Sequence, residues 1–178
     1  APAIVTALDL DLPGANVEKS LLHFLRSKQM LLILDNVEHL PDAVNTVISL
    51  AEGAPGMQIM ATSRARLNLQ GEQLYHVQPL PFQHTQSLED GLATDAVRLF
   101  SQCAQRVNPA FHIDGATLPA LLRICQLVEG MPLGLEMAAA QCGWLSLTEI
   151  AREIEAHSDF LATDWADVPL RQRSMRAV

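Results

Sequence analysis

Asp35, Glu38 and Arg64 stand where a chain can handle a phosphate group. Leu31 to Leu34 is an apolar run that ends abruptly in Asp35, and such a run between polar flanks predicts a strand of a parallel sheet buried on both faces. Asp35 then sits at the carboxyl end of that strand, the edge where open α/β sheets bind ligands. A carboxylate there is placed to hold a metal through water beside a phosphate chain. Glu38 can orient an attacking water, since phosphoryl transfer needs little beyond positioning and charge stabilisation; equally, it is a helix-start carboxylate favoured by the dipole. A second strand, Gln58 to Ala61, gives way at once to Thr62-Ser63-Arg64. Arg64 therefore reaches the same edge, where a guanidinium forms charge-assisted bonds to a terminal phosphate and reports whether that phosphate is present. Its plainer reading is an exposed loop arginine.

The elements that must position these residues alternate in a simple order. Ala3 to Leu8 is a short apolar segment stopped by Pro13 and Gly14. Asn16 can cap a helix whose Val17, Leu21, Phe24 and Leu25 share one face. After the first strand, Pro41 suits a first helical turn, and Val44, Val47, Ile48 and Ala51 make an apolar face before the Gly53-Ala54-Pro55-Gly56 break. A third extended stretch, Gln73 to Val77, is bounded by Gly71-Glu72 and by Pro79 and Pro81. Strand, helix, strand, loop, strand is the order of a parallel α/β sheet. Pro81 to Gly91 reads as a linker, and everything after Thr94 reads as helical. Thr94 can cap a helix carrying Val97, Phe100, Ala104 and Val107, ended by Asn108-Pro109. Leu118, Leu121, Leu122, Cys125 and Val128 stripe a second helix that stops at Gly130, Pro132 starts a third, and Ser146-Leu-Thr-Glu149 is a capping box for a fourth.

Composition bounds the chemistry. The 178 residues are 49% hydrophobic, enough for a real core, and only 4% aromatic, which favours helices with a modest sheet over a β-sandwich. The formal charge is −8; the 20 acidic residues all precede Leu170 while Arg171, Arg173 and Arg176 follow it, so the body is more acidic still. Such a surface is a poor one for direct nucleic-acid binding. Cys103, Cys125 and Cys142 lie widely spaced in helical apolar patterns, which suggests neither a disulfide framework nor a zinc site and fits a reduced, cytoplasmic compartment. No apolar run reaches the ~18 residues of a membrane span, and no basic-then-apolar leader opens the chain. The first residue is Ala rather than Met, consistent with a segment of a longer protein. His39, His76 and His84 have no ligand-like spacing with Cys or acidic residues. Gly130-Met-Pro-Leu-Gly-Leu-Glu136 combines a tight C-cap, a rigid first turn and an apolar wall, suited to packing or to one side of an adenine pocket.

Six stretches taken in order carry a family resemblance: Leu31-Leu-Ile-Leu-Asp-Asn-Val-Glu-His-Leu40, Ile59-Met-Ala-Thr-Ser-Arg64, Gly71 to Leu80, Ala96-Val-Arg-Leu-Phe100, Ile124 to Ala140 and Arg171 to Arg176. Together they resemble the NB-ARC-like branch of the STAND class of AAA-related P-loop ATPases, especially bacterial regulators that join this ATPase to DNA-binding and repeat domains. The resemblance covers nearly the whole chain. It implies a partial parallel-sheet P-loop NTPase core of about three strands at residues 1–80, a linker at 81–93, a helical lid at 94–160 and a linker towards a further domain at 161–178. By the same resemblance Asp35 looks like the Walker B magnesium ligand and, with Glu38, the catalytic pair. Thr62, Arg64 and Pro132 are the cofactor-binding candidates, Arg64 as phosphate sensor and Pro132 against adenine; ATP or ADP and Mg2+ are the implied cofactors. Asn36 stands where related ATPases often carry a second acid, and Met131 replaces the usual Leu.

The Gly-rich loop followed by Lys and Ser or Thr, which cradles phosphates, is nowhere in these 178 residues. In such relatives it lies upstream. The implied function is the core of a nucleotide-dependent signal-transduction switch that regulates transcription in a longer protein, with weak or absent nucleotide binding and no ATPase activity in this segment alone. The competing function is a non-enzymatic interaction module that uses the same fold as a scaffold. Expected partners are neighbouring domains and, through an exposed sheet edge, a second copy of the chain.

Overall fold

The computed structural model describes residues 2–11, 16–40, 42–157, 160 and 161. It is a mixed α/β structure, mostly helical, with one small parallel sheet. It divides into two compact units, Ala1–His76 and Val77–Val178.

In the first unit, helix α1 (Pro2–Ala7) forms from the apolar opening segment, and α2 (Val17–Leu25) begins where the Asn16 side chain accepts from the Lys19 amide at 3.0 Å. Strand β1 (Met30–Leu34), helix α3 (Ala43–Gly53) and strand β2 (Met57–Ala61) complete a β-α-β unit, with Met30 paired to Met57 and Leu34 to Ala61. Ile4, Leu21, Leu25, Leu50 and Ala54 are buried together, and Met30, Leu32, Leu34, Met57 and Ile59 pack against them.

This arrangement corrects three expectations. Among the described residues the strands are covered on one face only: Leu31, Ile33 and Met60 on the other face are about half exposed, because the helices packed on the sheet all serve the Met30/Leu32/Leu34 side. The buried face of α3 is Val47, Leu50 and Ala54, whereas Ile48 and Ala51 are exposed. The sheet has two strands, not three. Gln73–Val77 has no regular secondary structure, Tyr75 and Val77 are exposed and the stretch joins no ladder; β propensity without a neighbour to share hydrogen bonds does not make a strand. Pro13, Gly14 and Pro41 lie outside the described residues.

The second unit is a helical bundle of α4 (Leu88–Ala93), α5 (Asp95–Val107), α6 (Leu118–Leu127), α7 (Pro132–Ala140) and α8 (Leu147–Ala156). Phe100, Leu121, Ile124, Leu135, Met137 and Ile150 form the centre of its core. Helix α4, capped by Ser87 through the Asp90 amide, occupies part of the stretch read as a linker. Thr94 stands at the start of α5, yet its hydroxyl donates to the Gly91 carbonyl at 2.9 Å and so closes α4 rather than capping α5. The Ser146/Glu149 capping box forms as the spacing predicts. Cys103, Cys125 and Cys142 are buried free thiols; burial pushes Cys125 up to about 12 and Cys142 up to about 11. Arg171, Arg173, Arg176 and nearly all of the expected C-terminal linker lie outside the described residues. Among the described residues, no helix is long and apolar enough to cross a membrane.

Candidate functional site

The site is built on strand register. Leu34 and Ala61 are the last paired residues of β1 and β2, so the next residues, Asp35 and Thr62, emerge side by side at the carboxyl edge of the sheet. Thr62 continues the pairing by donating its amide to the Leu34 carbonyl at 2.9 Å, and its own carbonyl accepts from the Val37 amide at 3.1 Å. Its hydroxyl donates to Asp35 Oδ1 at 2.6 Å and accepts from the Asn36 amide at 2.8 Å. One threonine thus fixes Asp35, Asn36 and Val37 at once.

Asn36 has φ 60° and ψ 50°. This left-handed conformation is one that Asn adopts more readily than most residues, and it turns the chain from β1 into a 3-10 turn, Val37–His39. Val37 is buried and anchors that turn. Glu38 consequently points at the loop after β2, where its Oε1 lies 3.5 Å from Arg64 Nε. Beyond Arg64 the loop is clasped from within: the Glu72 carboxylate accepts from the Leu67 and Asn68 amides, each at 3.0 Å, with Asn68 and Gly71 both at positive φ.

The structure therefore brings Asp35, Glu38, Thr62 and Arg64 together in the first unit. Thr62 as the centre of the hydrogen-bond network is the feature that sequence reasoning undervalued; the signal was its place immediately after a strand in register with Leu34. The left-handed backbone at position 36 is one that Asn suits.

Pro132 belongs to the second unit. The chain leaves α6 through Glu129 at φ 52° and Gly130 at φ 68°, with the Gly130 amide bonded to the Cys125 carbonyl at 2.9 Å. The Leu80 amide donates to the Gly130 carbonyl at 2.9 Å, and a side chain on Gly130 would strike the Leu80 carbonyl oxygen. Met131 is extended, and Pro132 opens α7 with its ring exposed, as suits a residue lacking an N–H at a first turn.

Among the described residues, no group of three or more His, Cys, Asp or Glu side chains converges as a metal cage. A magnesium ion bound with phosphates needs none: it keeps several waters and uses one or two carboxylates. The Asp35 carboxylate beside the Thr62 hydroxyl is a hard oxygen donor set of that kind.

Over 168 residues, 94% of its length, the chain is 34% identical to a Mycobacterium tuberculosis protein named "Putative HTH-type transcriptional regulator", of which it covers 18%. The chain is similar to one segment of a much longer protein. A protein of the same description in Mycobacterium bovis matches with the same identity and coverage. An uncharacterized protein of Mycobacterium tuberculosis is 35% identical over 150 residues, which are 83% of this chain and 36% of that protein. The chain thus spans about a fifth to a third of these relatives. No family model matches it, and no solved structure does.

Proposed function

We propose that this chain is the nucleotide-responsive segment of a transcriptional regulator, a STAND-type switch in which ATP and ADP are told apart at the carboxyl edge of β1 and β2. The observation that carries the reading is the convergence of Asp35, Thr62, Glu38 and Arg64 on that edge. Asp35 with Thr62 would hold Mg2+, whose chemistry is to neutralise charge between phosphate oxygens. Arg64 would meet a terminal phosphate arriving at that edge, and Glu38 would orient water there. The regulatory role draws on the names of the longer mycobacterial relatives, and a cytoplasmic location follows from that role.

The test is chemical-shift mapping with MgATP on the 178-residue chain. Weak binding is expected, because the sequence holds no Gly-rich phosphate loop with its lysine. Shifts concentrated at residues 34–38 and 61–64, and abolished by Asp35→Ala, support the reading. Shifts scattered elsewhere or insensitive to Asp35→Ala refute it.

A second reading, a non-enzymatic interaction module, draws on the exposed Leu31, Ile33 and Met60 face of the sheet. Concentration-dependent self-association in sedimentation, removed by Ile33→Lys while MgATP leaves the spectrum unchanged, would favour it.

A further inference from the structure

The Glu38–Arg64 pair joins a fixed partner to a movable one. Glu38 is held by its turn: Val37 is buried, its amide is bonded to Thr62, and the Leu40 amide closes the turn on the Val37 carbonyl at 3.0 Å. The Glu38 side chain is 15% exposed, whereas that of Arg64 is 55% exposed. The backbone after Arg64 is fastened by Glu72 through Leu67 and Asn68. The exposed Arg64 side chain can change its torsions without disturbing this fastened part of the loop.

The contact itself is loose. A charge-assisted N–H···O bond closes to about 2.7–2.9 Å, whereas Arg64 Nε stands 3.5 Å from Glu38 Oε1. It orients Arg64 without committing the fork of the guanidinium, which can form two parallel bonds to a phosphate. Glu38 and Asp35 also place two carboxylates on one edge, and an anion arriving at Arg64 competes with Glu38 for it.

We propose that Glu38 is a positioning residue that holds the Arg64 guanidinium back from the sheet edge until a terminal phosphate competes it away. The inference rests on the nucleotide reading above and deepens it: discrimination between ATP and ADP is set by the difference between two partners for one arginine. Glu38 lowers the affinity for the triphosphate and leaves that for the diphosphate alone, since only the former reaches Arg64.

The experiment follows the Arg64 Nε–Hε resonance of the 178-residue chain during titration with MgATP and, separately, MgADP. In the native chain MgATP moves this resonance and MgADP does not. Glu38→Gln tightens MgATP about two- to five-fold, the range open to a partly exposed pair, leaves MgADP unchanged, and shifts the free-state resonance towards that of a solvated arginine. Glu38→Asp, which keeps the charge, restores much of the native ratio. A Glu38→Gln variant with a native MgATP to MgADP ratio overturns the proposal, even if its melting temperature falls, because a merely structural Glu38 would alter stability and not selectivity. If Arg64→Ala also keeps the native ratio, the phosphate-sensing reading itself has failed; if Arg64→Ala loses it while Glu38→Gln does not, only the role given to Glu38 has.

Discussion

The Thr62 hydroxyl lies 2.6 Å from the Asp35 carboxylate and joins the ends of two parallel strands. It is both a donor to Asp35 and an acceptor from the Asn36 amide at 2.8 Å, so it orders the acidic residue and the left-handed turn in one contact. Thr62→Val keeps the branched shape and removes both bonds. The expected loss is about 1–2 kcal/mol in urea unfolding of the first unit, with Thr62→Ser losing less than half of that. A Thr62→Val chain as stable as the native one would show that the network does not hold the turn.

Gly130 carries a second structural prediction. Its φ of 68° disfavours any side chain, and a Cβ there would strike the Leu80 carbonyl oxygen. Gly130→Ala should cost the second unit about 2–4 kcal/mol, combining the left-handed penalty with displacement of a bonded backbone segment. Thermal unfolding followed by the helical circular dichroism signal reads this; a change within about 0.5 kcal/mol, the scale of an ordinary surface substitution, would contradict it.

The capping box gives a pH signature. Bonds from the Ser146 amide and hydroxyl hold the Glu149 carboxyl below its ordinary value in the folded chain. Its contribution is therefore complete above the unfolded-state pKa, about 4.3, and is lost as pH falls through the lower folded-state value. The Asp114 carboxyl, held down chiefly by the Thr117 hydroxyl and then by the Thr117 amide, acts in the same direction. Melting curves of the native chain and of Glu149→Gln should differ near neutral pH and converge in acid. A difference that grows in acid would have the wrong sign.

The three thiols should be inert in the folded chain. With Cys125 pushed up to about 12 and Cys142 to about 11 by burial, and Cys103 raised by burial and by Glu136 against Arg106, little reactive thiolate exists at pH 8. A disulfide reagent should label them only on unfolding. Rapid labelling of Cys125 in the native chain would contradict the packing of α6.

Much of this was legible from the residues themselves. The apolar run before Asp35 and the second run before Thr62 specify β1, β2 and their shared edge. Period-3.6 stripes through Phe100 and Leu121, with the Ser146 cap, specify much of the bundle. What could not be read was neighbourhood. Gln73–Val77 has the composition of a strand, but a strand needs a partner with open hydrogen bonds, which composition does not reveal. Leu31 and Ile33 look buried because apolar runs usually are, yet burial depends on what covers the second face. Glu38 and Arg64 were each read singly against a phosphate; their pairing arises from a 3-10 turn that follows from Asn36 in a left-handed conformation.

These residues contain no phosphate loop, so steady hydrolysis is not expected from them: Asp35 cannot replace the backbone donors and lysine that stabilise transferring charge. Phosphate release above a buffer control, abolished by Asp35→Ala, would contradict this.

The central claim is that Arg64 distinguishes a triphosphate from a diphosphate, and the direct measurement is the ratio of MgATP to MgADP affinity in the native chain and in Arg64→Ala. The account predicts that Arg64→Ala weakens MgATP while leaving MgADP unchanged, shrinking the preference by ~1–3 kcal/mol, the scale of a charge-assisted contact. Equal loss of affinity for both nucleotides, or none for either, would contradict it.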